Sequence, residues 1–188
     1  MNGAMMIVGV GGQGTLLASR ILGSALLSLG LEVKVSEVHG MSQRGGSVVT
    51  YVKYGEKVWS PLVDKGEADQ ILAFELLEAY RALPWLKQGG KLIVNTQSIS
   101  PMPVITGKAV YPEGLKEKLC GFVDAVPVDA LALAKEAGNI KAVNVVLIGV
   151  LAKNSGIDKE VWLKAVRDNV PAKLLDINLK AFEAGWNL

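Results

Sequence analysis

Cysteine is nearly absent from this chain. Cys120 is the only one among 188 residues. An internal disulfide is therefore excluded, and the chain has too few thiolates to hold a structural zinc or an iron–sulfur cluster. Any metal or cluster chemistry must reside on a partner, and Cys120 itself is expected to be a small buried hydrophobe. Histidine is equally scarce, with His39 alone. Aromatic residues make up 6%, too few for a surface that stacks bases. The net charge is only +2, which argues against a dedicated nucleic-acid binder. Long apolar runs are missing too. Val143 to Ala152 is interrupted by Asn144 and Gly149 and falls far short of the roughly 20 residues a membrane-spanning helix needs. Met1-Asn2-Gly3-Ala4-Met5 carries no basic stretch, so no secretory signal is expected and a cytoplasmic location is. No G-x-S-x-G, H-E-x-x-H or G-K-[ST] motif occurs, and no Ser, Cys or His sits in a recognisable nucleophile setting. The carboxylates of Glu113, Glu117, Asp124 and Asp129 read as a solvated face. Trp59, Trp85, Trp162 and Trp186 read as core or interface anchors.

Half of the residues are hydrophobic and a fifth are charged, the balance of a globular domain. The length suits one domain, 1–188, with a substantial core. Strand signals alternate with helix signals. Met5 to Val8 is a short apolar strand, and Leu16 to Leu29 recurs at helical spacing with Gly30 as its stop. Leu31 to Ser36 alternates as strand two. Ser47 to Tyr54 is a β-branched, aromatic strand that is expected to form a hairpin with Val58 to Pro61. Further strands are expected at 70–74, 91–95 and 122–128, and helices at 75–83, after Asp129, at 144–153 with Asn144 as cap, at 158–169 and at 172–184. The pattern predicts an α/β fold: a three-layer α/β/α domain with a mixed, mostly parallel sheet and a Rossmann-like first βα unit.

Two loops stand out. Gly9-Val10-Gly11-Gly12-Gln13-Gly14 follows the first strand and opens a helix. In a G-x-G-x-x-G turn the first glycine makes the tight turn, the second lets backbone approach a phosphate, and the third allows close helix–strand packing. Gly12 adds access, Thr15 offers a hydroxyl, and Gln13 brings an amide that donates and accepts. The second loop, Glu37 to Gly46, follows strand two and should emerge beside the first at the carboxyl edge of the sheet. It holds His39, Ser42, Gln43, Arg44, Gly45 and Gly46. Arg44 is the natural clamp for a phosphate or carboxylate. A further alternative is that Glu37 holds a ribose and the chain is a stand-alone NAD-binding oxidoreductase, although no second mononucleotide half is visible.

Gly9 to Gly14 followed by Leu16-Leu17-Ala18, and Glu37-Val38-His39-Gly40-Met41-Ser42-Gln43-Arg44-Gly45-Gly46-Ser47-Val48, resemble the two signatures of the gamma-type domain of 2-oxoacid:ferredoxin oxidoreductases. The His39-Gly40-Met41-Ser42 wording resembles the beta subunit of the indolepyruvate branch, as do Ser60-Pro61-Leu62, Ala82-Leu83-Pro84-Trp85-Leu86 and Asn144 to Gly149. The resemblance spans nearly the whole chain. It implies a larger alpha subunit carrying thiamine diphosphate and iron–sulfur clusters, coenzyme A as co-substrate, ferredoxin as acceptor, and an aryl pyruvate as substrate. It also implies that this chain holds no cofactor alone, is inactive alone, and lends its glycine loops to the coenzyme A or cofactor site. A purely structural assembly subunit with empty loops is the remaining alternative.

Overall fold

The computed structural model describes residues 1–42 and 44–188. Gln43, one of the expected loop residues, lies outside them. The first strand, β1 (Gly3–Val10), leads through the glycine turn into α1 (Thr15–Ser28), then β2 (Glu32–His39) and β3 (Ser47–Gly55). Next come β4 (Ala68–Ala73), α2 (Leu76–Ala82), β5 (Leu86–Asn95), the short α3 (Met102–Ile105), α4 (Leu115–Phe122) and β6 (Asp124–Val128). The remainder is helical: α5 (Ala130–Glu136), α6 (Val143–Lys153), α7 (Lys159–Asn169) and α8 (Leu175–Trp186).

The strands form a six-stranded sheet in the order β2-β3-β1-β4-β5-β6. β1, β4, β5 and β6 pair in parallel, while β3 runs antiparallel to both β1 and β2. The mixed, mostly parallel sheet is thus as expected, but its antiparallel part arises differently. β3 pairs with β1 and β2, and 58–61 forms no strand. Pro61 lacks a backbone N–H to donate, Trp59 points outward at 83% exposure, and the Val58 N–H donates to the Glu32 carboxylate at 3.2 Å, so this segment offers no strand ladder.

β1 sits centrally and is buried on both faces, which is why it reads as an unbroken apolar run. Met5 and Ile7 face the larger core with α1, α6, α7 and α8. Ala4, Met6 and Val8 face the smaller core with α2 and α4. α1 buries Ala18, Ile21, Leu22, Ala25 and Leu26 at helical spacing. α6 is buried on every side from Asn144 to Ala152, as befits a helix apolar all round.

Four expectations are corrected. β2 runs to His39, so Glu37 and His39 belong to a strand, and the described loop residues are 40–42 and 44–46. The cap position before α6 belongs to Ala142, and Asn144 lies within the helix, where its amide donates to the Gly14 carbonyl at 3.4 Å. Cys120 is exposed, because α4 presents only Leu115 and Leu119 to the core. Phe122 ends that helix and does not open β6. By contrast, Asp129 caps α5 as expected, its side chain accepting from the Ala132 N–H at 3.0 Å.

Candidate functional site

The first glycine loop is built from within. The Gln13 side chain folds back: its Oε1 accepts from the Val10 N–H at 2.7 Å, and its Nε2 donates to the Phe74 carbonyl at 3.0 Å and to Gln97 Oε1 at 3.3 Å. Asn95 donates to the same Phe74 carbonyl at 3.1 Å and accepts from the Ala130 N–H at 3.3 Å. One amide network thereby joins the carboxyl ends of β1, β4 and β5 to the start of α5. Gln13, expected as a ligand-facing amide, spends its donors and acceptor on this network. Gly9 is buried, packed against Phe74, Gln13 and Thr15. Gly14 adopts φ +86°, and an added Cβ would lie 2.6 Å from the Asn144 amide nitrogen, so only glycine fits there. Gly12 has φ +104°, yet nothing lies within 4 Å of where its Cβ would be. Its backbone therefore faces open space, as close approach by a ligand requires.

The two signature loops are stitched together by their backbones. The Gly11 N–H donates to the Gly46 carbonyl at 2.8 Å, and the Gly45 N–H donates to the Gly11 carbonyl at 3.2 Å. The expected juxtaposition at the carboxyl edge is therefore present. Ser42 and Arg44 are both exposed, and the Ser42 hydroxyl donates to the Arg44 carbonyl at 2.7 Å.

Cavities flank the stitched loops on either side. One, of about 440 Å³, lies over Gly11, Gly12, Gly14 and Thr15 and is walled by Glu37 and His39. Glu37 accepts from the buried Thr50 hydroxyl at 3.3 Å, and the Gly40 carbonyl accepts from His39 Nδ1 at 3.2 Å. The other, of about 280 Å³, lies between Ser42, Gly45, Gly46 and Ser47 and the acidic start of α2. Here two carboxylates are buried, Glu75 at 1% and Glu78 at 5% exposure. Glu75 caps α2 by accepting from the Glu78 N–H at 2.9 Å, and it also accepts from the Ile99 N–H and the Tyr111 hydroxyl. Burial, reinforced by that bond to a carboxylate, pushes the Tyr111 phenol up to about 12. Sequence reading placed Glu75 in a helix but gave neither glutamate a role. The only local sign was a pair of carboxylates three residues apart at the junction of an apolar strand and a helix. A larger cavity, about 630 Å³, lies at the opposite edge of the sheet near Tyr54 and Trp59. Its acids are already paired, Glu67 with Lys53 at 2.7 Å and Asp69 with Lys87 at 3.0 Å, and it touches neither glycine loop.

The strand order bears on the dinucleotide alternative. In a Rossmann fold the ribose-binding acid ends a parallel strand beside the first. Here β3 lies between β1 and β2, so Glu37 is a full strand further away. Among the described residues no group of three or more His, Cys, Asp or Glu could hold a metal ion. With Cys120 its only cysteine, the chain's own donors do not fit an iron–sulfur cluster.

The chain is 46% identical over 189 residues to the indolepyruvate oxidoreductase subunit IorB of Thermococcus kodakarensis, covering 96% of this chain and 93% of that protein. It is 33% identical over 184 residues to the ketoisovalerate oxidoreductase subunit VorA of Methanothermobacter marburgensis, covering 95% of this chain but only 35% of VorA. Its fold is similar to the crystal structure of a keto/oxoacid ferredoxin oxidoreductase gamma subunit from Geobacter sulfurreducens PCA, with a TM-score of 0.73 at 24% identity over 98% of this chain and 96% of that one. Residues 4–188 match the family described as pyruvate ferredoxin/flavodoxin oxidoreductase. With both glycine signatures inside that match and the gamma-subunit fold around them, the chain belongs to the pyruvate ferredoxin/flavodoxin oxidoreductase family.

Proposed function

We propose that this chain is the small subunit of an oxidoreductase that converts indolepyruvate or related aryl pyruvates, with coenzyme A, to aryl acetyl-CoA while reducing ferredoxin. The observation that carries this reading is the near end-to-end identity of 46% to an indolepyruvate oxidoreductase subunit. The match to about a third of VorA supports a role inside a larger assembly, since there the same segment is joined to other parts in one polypeptide. Thiamine diphosphate and the iron–sulfur clusters then belong to the larger alpha subunit, and the carbon–carbon chemistry is the cofactor's own. What this chain supplies is positioning. Gly11, Gly12, Thr15, His39, Ser42, Arg44, Gly45 and Gly46 form the ligand-facing rim, while Gly9, Gln13 and Gly14 shape it from inside.

Arg44 is read as an anion clamp for coenzyme A or cofactor phosphate. A guanidinium offers paired donors that an ammonium cannot copy. In the assembled complex, Arg44→Lys is expected to raise KM for coenzyme A or lower turnover by roughly ten- to a hundredfold, matching the loss of about 1.5–3 kcal/mol for a charge-assisted hydrogen bond. Gly12→Val is expected to be worse, because a branched side chain would stand in the open approach to the loop and resist its positive φ. The test is steady-state kinetics on complexes of normal thermal stability. Wild-type kinetics for coenzyme A and the oxoacid in both variants would make the loops structural.

A further inference from the structure

The two cavities beside the stitched loops differ in the ionic groups that line them. The one over the first loop presents a carboxylate and an imidazole, Glu37 and His39. The one beside the second loop presents a guanidinium, Arg81, whose Nη1 donates to Glu78 Oε1 at 2.7 Å. Glu78 is held from its other side, Oε2 accepting from the Ser47 hydroxyl at 2.5 Å. The Glu78 side chain is 7% exposed and the Arg81 side chain 52%. A buried carboxylate thus pins the inner edge of an arginine whose outer part remains open. Pinning removes rotamer freedom before any ligand arrives, which favours paired hydrogen bonding to an oxyanion. Ser47 directly follows Gly45 and Gly46, so this anchor is continuous with the second loop.

The site has an aromatic end. A smaller cavity of about 140 Å³ shares Ser47, Glu78 and Arg81 with the cavity beside the second loop and continues to Tyr51 and Trp85, both half-buried. Tyr51 and Trp85 pack against the margin of the smaller core, and α2 lines this cavity through Glu78, Arg81 and Ala82. The result is a trough with a fixed cation beside the glycine loop and two aromatic side chains beyond it.

We infer that this trough binds a small-molecule anion carrying a planar ring, with the oxyanion on Arg81 and the ring against Tyr51 and Trp85. The inference rests on the proposed function, whose two co-substrates share that chemistry: coenzyme A has phosphates and an adenine, and an aryl pyruvate has a carboxylate and an aromatic ring. Glu78 is the positioning residue, and Arg81 touches the ligand.

The test uses the assembled complex and measures KM and kcat for coenzyme A, dephospho-coenzyme A and indolepyruvate. Arg81→Lys keeps charge but loses the fork, and Arg81→Gln combined with Glu78→Gln removes both charges without stranding a buried carboxylate. The expected result is a KM raised at least tenfold for one co-substrate, with kcat within about twofold. A rise confined to coenzyme A and its dephospho form assigns the phosphates, and a rise confined to indolepyruvate assigns the carboxylate. Arg167→Gln, in a surface pair on α7, is expected to change neither. A second measurement avoids substitution. Arg81 in the wild-type complex is modified with phenylglyoxal and the extent read by mass spectrometry, with each co-substrate present in turn. The assigned co-substrate should protect Arg81 at concentrations near its KM. Unchanged KM values for both co-substrates, or modification of Arg81 unaffected by either, would overturn the proposal. Indolepyruvate turnover by the same wild-type complex reports on the proposed function separately.

Discussion

Single residues decide how the glycine loops are held. Gln13 and Gly14 have different jobs although they are neighbours. Gln13 plugs the loop from below, and Gly14 makes room for Asn144. Sequence spacing announced the loop, but it could not show that the Gln13 amide points inward, because its partners Phe74 and Gln97 are 61 and 84 residues away. The same is true of Tyr111, whose hydroxyl reaches the buried Glu75. The Tyr111 phenol is raised from its ordinary value near 10 to about 12. Between those values the unfolded chain releases the proton and the folded chain keeps it. The contribution is therefore complete below pH 10 and is lost as pH rises through about 12. Tyr111→Phe should be less stable than wild type near neutral pH, and the gap should narrow between pH 10 and 12. Denaturant unfolding across that range checks this, and a gap that stays constant would contradict the assignment.

Elements show which parts of the fold were legible. β1, α1, β4, α2, α7 and α8 were all recognisable from apolar periodicity and caps, because each buries a regular stripe or run. The corners were not. The 58–61 hairpin failed because β-propensity says nothing about which strand becomes the partner, and β3 found longer registers on β1 and β2. β2 was read three residues short since Glu37 and His39 are polar, but at a sheet edge polar side chains cost a strand little. α4 went unseen because only Leu115 and Leu119 of its eight residues are buried. The amide network makes a prediction at this scale. Gln13→Ala would leave the Val10 N–H without its acceptor, costing about 1–3 kcal/mol, while the Phe74 carbonyl would keep the bond from Asn95. Because β1 is paired on both sides from Met5 to Val8, the strand should persist and the turn should loosen. Hydrogen exchange should accelerate at Val10 and Gly11 while Met6 and Ile7 stay protected. Uniform acceleration along β1 would show that the network holds the sheet and not the loop.

At the scale of the molecule, the carboxyl edge carries two joined glycine loops and two cavities. Trp59 protrudes at 83% exposure with Lys57 over its ring at 4.7 Å, and Leu62 nearby is 55% exposed. An exposed tryptophan of this kind suits an interface anchor. Trp59→Ala should leave the thermal midpoint of the isolated chain within about 2 °C of wild type, since surface changes usually stay within ±0.5 kcal/mol. It should nevertheless weaken assembly with the larger subunit as read by size exclusion. Equal assembly would place Trp59 outside the interface. The central claim is tested most directly by reconstitution. The chain is assayed alone and after co-expression with a candidate alpha subunit, each with indolepyruvate, phenylpyruvate-type and aliphatic 2-oxoacids, coenzyme A, thiamine diphosphate and ferredoxin. The chain alone should give no ferredoxin reduction, and the complex should give coenzyme A-dependent reduction with aryl pyruvates preferred. Turnover by the chain alone, or a complex that ignores aryl pyruvates, would contradict the central claim.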